Sequence, residues 1–395
     1  MAVSARAVPL AAGMLATCVR GAPLAPVPLA VLPLDLSGGA LYVPAVINGD
    51  TAWLMLDTGL SRTGIDREWA AAIGVAAAPD GAPGNGMGTA TAVLDTLRLG
   101  ALALRAHLAG LYPLRSLSEA SGRLQRGLIG HDILHRYVVE IDYQNLQVRL
   151  FAPAAYRHRG PGATVRFTPD ADRPLLRAQL RAPGRRPIPA RLLLDTGASG
   201  LCLILTTPFA EQHGLDRIAP AIAAPIGTGL AGELHGTIVR LQELRLGAVR
   251  VRSPTTGVGG EYKGFLARTD IDGVIGNAVF EGSRLIVDYA RRRVVIEAPA
   301  AGRSRCDYDM SGLRLSAAGP TLARLVVDYV VPRSPGADAG IAAGDELLEL
   351  NGRPVGGADL DAVRSALRVE GAVCRLLLRR GPDTLRVALA LRRLL

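Results

Sequence analysis

The 395-residue chain is 49% hydrophobic and 20% charged, which excludes a mainly disordered protein and provides apolar material for about two to four domains. Its formal charge is +10, but the basic residues are scattered along the sequence, and we therefore expect no nucleic-acid partner. The 46 glycines and 26 prolines favour short strands and turns over long helices.

The chain begins with an apolar stretch, residues 7–18, that follows Arg6. This stretch is too short to span a bilayer comfortably and fits the apolar core of an export signal. We expect residues 1–24 to be a signal-like, disordered segment and the protein to be exported to the periplasm or cell envelope. Residues 15–18 (LATC) also resemble a lipoprotein signal, so lipid attachment at Cys18 stays open. Any membrane anchoring is expected through this N-terminus alone.

An internal repeat dominates the next part of the chain. Four landmarks recur in the same order: LMLDTG (54–59) as LLLDTG (192–197), LRLG (97–100) as LRLG (244–247), GLIG (127–130) as GVIG (273–276), and Asp-Tyr (142–143) as Asp-Tyr (288–289). Landmarks this far apart predict two homologous lobes, which we place at residues 25–155 and 156–298.

Each lobe is predicted to be rich in β-strands. In the first lobe, alternating apolar residues around turn residues predict strand pairs at 40–46 and 51–56, at 91–99 and 102–108, and at 137–141 and 147–151. Short helices are predicted at 67–73, 132–136 and 208–213.

A linker at residues 299–309 separates the lobes from a third region, residues 310–395, with a different pattern. Strands are predicted there at 325–331 and 346–351, a helix at 360–367, and a closing hairpin at 372–378 and 384–389. This alternation predicts a small α+β domain.

The repeated Asp-Thr-Gly is the motif that carries chemistry. Each copy follows an apolar strand, so that Asp57 and Asp195 stand on tight loops whose glycines permit close backbone approach. A pseudo-two-fold axis between the lobes would bring the loops face to face. Two carboxylates about 4 Å apart repel by roughly 4 kcal/mol at an effective dielectric near 20, so the pair would hold one proton between them. Such a pair can activate water and polarise a carbonyl, which predicts amide hydrolysis without a metal or covalent intermediate.

On these motifs, residues 40–297 resemble pepsin- and retropepsin-type aspartic peptidases. The resemblance implies a mainly β fold with two aspartic-protease-like β-barrel lobes, a catalytic pair formed by Asp57 and Asp195, and Gly-rich hairpins at 83–92 and 225–237 acting as flaps over the substrate. It also implies supporting roles for residues in and beneath the two loops: Thr58, Gly59, Thr196, Gly197, Gly130 and Gly276.

The third region is similar to a PDZ domain, on the sequences SGLRL (311–315) and GDELLELNG (344–352). This resemblance implies that an extended peptide is captured as an added strand, with the helix at 360–367 as the other wall of the groove. A loop with exposed backbone N–H groups would bind the C-terminal carboxylate of that peptide through Gly312, Leu313, Arg314 and Leu315.

The function expected from the sequence is therefore an aspartic endopeptidase with a peptide or protein substrate, no cofactor, and a PDZ domain that captures peptides or regulates activity. The alternative is a non-catalytic peptide-binding module of the same fold. Leu60 favours this alternative, because the family usually has Ser or Ala after the first motif.

No metal site is expected. His131 and His135 have the spacing of the two histidines in a zinc-binding HExxH helix. They directly follow the GLIG segment, however, and the second lobe has no histidines at the equivalent place, which argues against a zinc site. The four cysteines, Cys18, Cys202, Cys306 and Cys374, are far apart and without a CxxC spacing, so we expect neither a metal cage nor a disulfide framework.

Overall fold

The computed structural model describes residues 26–78, 90–297 and 306–395. The predicted signal segment with Cys18, most of the predicted flap at 83–92 and most of the linker at 299–309 lie outside these ranges. Over the ranges that are described, no helix has the length and apolar character needed to cross a membrane.

The first lobe is built from β-strands, most of them paired antiparallel, and three short α-helices. Its strands are β1 (Ala30–Pro33), β2 (Tyr42–Ile47), β3 (Asp50–Leu56), β4 (Gly64–Asp66), β5 (Thr91–Leu99), β6 (Leu102–Tyr112), β7 (Gly127–Ile129), β8 (Val138–Asp142) and β9 (Gln147–Phe151). Its helices are α1 (Arg67–Ala72), α2 (Arg115–Ser121) and α3 (His131–Leu134).

Six of these strands close into a barrel in the order β2-β3-β7-β4-β6-β5. The predicted hairpins are confirmed: β2 and β3 turn at Asn48 and Gly49, both with positive φ, and β5 and β6 turn at Gly100. Such turns suit the right-handed twist of paired strands. Apolar side chains that alternate along the strands fill the barrel interior.

The second lobe repeats this plan. Its strands are β10 (Ala163–Asp170), β11 (Arg173–Arg181), β12 (Ile188–Asp195), β13 (Leu203–Leu205), β14 (Ala221–Gly229), β15 (Gly232–Arg240), β16 (Glu243–Leu246), β17 (Val249–Arg252), β18 (Thr255–Gly259), β19 (Gly273–Gly276), β20 (Arg284–Asp288) and β21 (Arg293–Glu297), with helix α4 (Thr207–Gln212). The ring β11-β12-β19-β13-β18-β15 is completed by β16, which follows β15 after residues 241–242 and pairs with β11.

A single sheet joins the two lobes in the order β1-β9-β8-β20-β21-β10. At its centre β8 and β20 pair antiparallel, and Glu140 lies opposite Ile286, its own counterpart in the sequence repeat. The pseudo-two-fold axis therefore passes between these two strands, and backbone hydrogen bonds fix the position of one lobe against the other.

The C-terminal domain is a small α+β unit with its own apolar core. Its strands are β22 (Leu313–Ala318), β23 (Arg324–Val330), β24 (Glu346–Leu350), β25 (Arg353–Pro354), β26 (Val373–Arg380) and β27 (Asp383–Ala390), and its helices are α5 (Pro335–Asp338) and α6 (Leu360–Ala366). The sheet order is β22-β23-β24-β26-β27, which puts β22 at one edge. The predicted fold class is confirmed: a mainly β chain with two related lobes and a C-terminal α+β domain.

The expectation about the cysteines is wrong for one pair, because Cys202 and Cys306 form a disulfide. Cys202 lies in the buried stretch after the second Asp-Thr-Gly motif, and Cys306 lies just before the C-terminal domain. The two residues are 104 positions apart, so only the folding of the second lobe brings them together. Cys374 is a buried free thiol.

Candidate active site

The two Asp-Thr-Gly motifs stand at equivalent ends of equivalent strands. Asp57 directly follows β3, and Asp195 is the last residue of β12. Each strand pairs in parallel with the repeated segment predicted to support it: β3 with β7, ahead of Gly130, and β12 with β19, which ends at Gly276. A Cβ atom at Gly130 would lie 2.9 Å from the carbonyl oxygen of Leu60, so these segments run directly beneath the loops.

The two threonines tie the loops of the two lobes to each other. The Thr58 hydroxyl donates to the carbonyl of Leu194 at 2.8 Å, and the Thr196 hydroxyl donates to the carbonyl of Leu56 at 2.7 Å. Each hydroxyl oxygen also accepts from the other threonine's amide at 3.1 Å. Both threonines are buried, so the hydrogen bonds form away from water and hold the two motifs in register.

The two carboxyl groups meet across the junction between the lobes, where they hydrogen-bond each other. The glycines of the motifs make this approach possible. A Cβ atom at Gly59 would lie 2.5 Å from the carboxyl carbon of Asp195, and one at Gly197 would lie 2.7 Å from that of Asp57. Only glycine fits at either position without moving the opposite carboxyl group.

Burial and mutual repulsion shift the titration of the pair. Burial, followed by the charge of Asp195, raises the pKa of Asp57 well above its usual range. Burial also raises the pKa of Asp195, although the amides of Ala198 and Gly197 donate to its carboxylate and oppose the rise. The arrangement therefore favours a proton on Asp57 and a negative charge on Asp195.

Arg173, on β11, is a neighbour of the pair that the sequence analysis missed. Its positive charge opposes the rise that burial causes in the pKa of Asp195. Its guanidinium lies 3.5 Å from the carbonyl oxygen of Gly59 and 2.6 Å from the Asp170 carboxylate. One arginine among many scattered ones carries no motif, so no signal in the sequence could have identified it.

Leu60, the unusual residue after the first motif, fits its surroundings. Its side chain is buried in an apolar cluster with Tyr42 and Leu128, and its carbonyl accepts from the amide of His131 at 2.8 Å. Ala198, its counterpart, accepts from the amide of Asn277 at the same distance. The first loop therefore keeps the same backbone support as the second.

The predicted flap at 225–237 belongs to the hairpin of β14 and β15. Leu230, at its tip, packs against the apolar cluster that contains Leu60. The hairpin of the second lobe thus reaches over to the first lobe beside the loop that carries Asp57.

The expectation of exposed N–H groups in the loop of the C-terminal domain is wrong for Gly312 and Leu313, which are buried. Asp309 accepts hydrogen bonds from the amides of Ser311 at 2.9 Å and Gly312 at 2.6 Å, and the Ser311 hydroxyl accepts from the Leu313 amide at 3.0 Å. An internal carboxylate thus occupies part of this loop. Arg314 and Leu315 belong to the edge strand β22.

The two histidines weighed as zinc ligands stack on each other, with ring centroids 4.7 Å apart. His135 uses its Nδ1 atom to contact the carbonyl of His131 at 2.7 Å. Among the residues that the structure describes, no group of three or more His, Cys, Asp or Glu side chains is placed to hold a metal ion.

Two family models match the chain. The model described as aspartyl protease matches residues 43–133 and 180–279, and the model described as PDZ domain matches residues 326–380. No curated protein matches the sequence.

Two solved structures are similar to parts of the chain. The aspartic proteinase from Irpex lacteus is 11% identical, with a TM-score of 0.43, over 70% of this chain and 99% of the proteinase. The HtrA3 PDZ domain bound to a phage-derived ligand is 31% identical, with a TM-score of 0.18, over 21% of this chain and 83% of that domain.

Proposed function

Because the chain carries an aspartyl protease domain in two segments and a C-terminal PDZ domain, we propose that it is an aspartic endopeptidase acting on peptide or protein substrates. The observation that carries the proposal is the contact between the two half-buried carboxyl groups, Asp57 and Asp195, one from each lobe. The supporting loop residues are those predicted from the sequence, with Thr58 and Thr196 holding the loops together.

The reaction follows from the shared proton, as is general for aspartic proteases. The charged Asp195 accepts a proton from a water molecule as the water oxygen attacks the carbonyl carbon of the peptide bond. Asp195 then passes this proton to the amide nitrogen as the C–N bond breaks, so that the amine leaves and the charged Asp195 is restored. The protonated Asp57 donates a hydrogen bond to the carbonyl oxygen and stabilises the negative charge that develops there. The pair titrates as a unit, because neither carboxyl group changes its charge without affecting the other.

The proposal is tested with Asp57→Asn, which keeps the size of the side chain but cannot share a proton in the same way. We expect this variant to lose peptide hydrolysis while keeping its fold. The matched control is Asp50→Asn, an exposed aspartate at the start of β3 in the same lobe. The assay incubates each protein with a mixed peptide library from acid to neutral pH and identifies products by mass spectrometry.

Two outcomes would overturn the proposal. Cleavage retained by Asp57→Asn would exclude this mechanism. No cleavage by the wild-type protein at any pH, with peptides retained on the protein, would instead favour the non-catalytic peptide-binding module.

For the PDZ domain we propose capture of an extended peptide at the edge of β22, where strand addition supplies main-chain hydrogen bonds. We also propose that the protein is exported to the periplasm or cell envelope. The Cys202–Cys306 disulfide supports this location, because such bonds persist in oxidising compartments.

A further inference from the structure

Strand β22, at the edge of its sheet, contacts the first lobe. Helix α2 of the first lobe packs against β22. Arg364, on α6, donates to the carbonyl of Ala120 at 2.9 Å and to the carbonyl of Leu315 at 2.8 Å. One guanidinium therefore joins α6, β22 and the end of α2, the three elements that border the proposed peptide groove.

Further contacts hold this arrangement at both ends. The Asp361 carboxylate on α6 accepts from the amide of Gly38 at 2.6 Å. Arg115, at the start of α2, donates to the carbonyls of Gly319 and Pro320, just beyond β22. Backbone at Gly122 approaches the start of α6 so closely that a Cβ atom there would lie 3.1 Å from the Leu360 side chain and 3.0 Å from the carbonyl of Gly357, just before the helix. A peptide adding to β22 would need the space that the first lobe now fills.

Strand β22 and its neighbour β23 also contact the hairpin beside the active site. Arg314, on β22, forms an ion pair with Glu233 and donates to the Thr228 hydroxyl at 3.1 Å. The Tyr329 hydroxyl donates to the carbonyl of Ala223 at 3.0 Å. Thr228 and Glu233 face each other next to the tip of the β14–β15 hairpin, and Ala223 lies further along it. The C-terminal domain therefore holds the hairpin close to the tip that packs near Leu60.

We propose that the docked PDZ domain is an autoinhibitory latch. In the docked state, α2 blocks the peptide-binding edge of β22, and β22 restrains the β14–β15 hairpin. An extended peptide that adds to β22 displaces α2, frees the hairpin and thereby raises hydrolysis at the dyad. The coupling is reciprocal, so anything that loosens the hairpin also favours peptide binding at β22. The effect on hydrolysis rests on the proposed function, whereas the docking itself does not.

The ion pair between Arg314 and Glu233 offers a charge-swap test in the full-length chain. Glu233→Arg places two positive charges together and should raise peptidase activity about fivefold, the change that about 1 kcal/mol produces. Adding Arg314→Glu restores an opposite-charge pair and should return the rate to the wild-type value. His235→Ala is the control, because it removes the other ionic partner of Glu233 without touching the C-terminal domain.

Hydrogen–deuterium exchange in an Asp57→Asn background tests the latch independently of catalysis. Glu233→Arg should speed exchange in β14 and β15, and also in β22 and α2, and the charge swap should reverse all four changes. Faster exchange confined to the hairpin, or changes that the swap does not reverse, would overturn the latch even if the enzyme is active. If wild-type protein cleaves nothing but the exchange pattern is as expected, the proposed function fails and the docking stands.

Peptide capture is measured with a phage-displayed random peptide library panned on the same full-length Asp57→Asn proteins. Peptides selected on the Glu233→Arg variant should bind that variant about fivefold more tightly than its parent, because less free energy is needed to displace α2. Equal affinity for both proteins would show that α2 does not compete, and would overturn the proposal.

Discussion

Asp57 and Asp195 are equivalent in sequence but not in surroundings. The charge acting most strongly on Asp57 is the negative charge of Asp195, which favours a proton on Asp57. Both carboxyl groups accept hydrogen bonds from backbone amides of their own loops, and Asp195 in addition feels the positive charge of Arg173. A duplicated motif thus gives two carboxyl groups with different roles, because the chain around each copy has diverged.

The charge of Arg173 predicts a change in the pH profile. Arg173 stabilises ionised Asp195, so Arg173→Gln should raise the pKa of Asp195. Protonation of Asp195 then begins at higher pH, and the acid limb of kcat/KM against pH moves to higher pH. The measurement is a full pH profile on one peptide substrate. Arg177→Gln, an exposed arginine on the same strand, is the control and should leave the profile in place. An acid limb that does not move, or moves to lower pH, would contradict the assignment.

The meeting of Asp57 and Asp195 in the candidate site could be predicted from the sequence, but the groups around them could not. Asp57 and Asp195 are marked by a motif that occurs twice in the same context. No sequence motif identifies Arg173 or Asp309, because their effects depend on which strands the fold brings next to them. The loop at Gly312 is a further example. The sequence pattern of the loop could be recognised, but the sequence did not show that a carboxylate, Asp309, occupies it.

At the scale of elements, strands joined by short turns were predictable because their pairing is local. The hairpins at Asn48 and Gly100 follow from alternating residues and a turn that needs positive φ. The contact of α2 with β22 joins parts of the chain that are distant in sequence, and nothing in either segment alone specifies the other. Local patterns thus fixed the elements of each domain but left the docking between domains open.

The Asp309 loop before β22 predicts a pH-dependent stability. Burial raises the pKa of Asp309 to about 6, above its unfolded value near 3.8, so the folded state favours the protonated form. Below pH 4 the protonated Asp309 contributes about 3 kcal/mol to the free energy of unfolding, and this contribution is lost as pH rises through 6. Urea denaturation measures the free energy of unfolding at each pH. Between pH 4 and pH 6 we expect this free energy to fall for the wild-type protein relative to the Asp309→Asn variant. Asp307→Asn, at an exposed neighbouring position, should show a constant difference from wild type. A constant difference for Asp309→Asn as well would show that Asp309 titrates normally.

At the scale of the whole molecule, the Cys202–Cys306 disulfide links the start of the C-terminal domain to the stretch that follows the second Asp-Thr-Gly loop. The C-terminal domain is therefore held to the lobes in two ways: by this covalent bond, and by the docking contacts of β22 and α6, which can separate. A bond that survives undocking would keep the released domain close to the hairpin and make return fast.

Removal of this bond should destabilise the protein. The closed loop spans 104 residues, and the double variant Cys202→Ala/Cys306→Ala should lose about 2–5 kcal/mol of unfolding free energy. Thermal unfolding with and without reductant measures the effect. Reductant should lower the midpoint of the wild-type protein and of the control Cys374→Ala, but not that of the double variant. A wild-type midpoint that reductant leaves unchanged would contradict the prediction.

The antiparallel join of β8 with β20 bears on any shortened form of this chain. A fragment that stops after the first lobe would leave β8 with an open edge, and open strand edges associate with one another. Since Glu140 faces its own counterpart Ile286 in the intact chain, two copies of such a fragment could meet through β8 in the same register. The expected product is a symmetric homodimer in which each copy donates one aspartate, a two-chain version of what this protein achieves within one polypeptide.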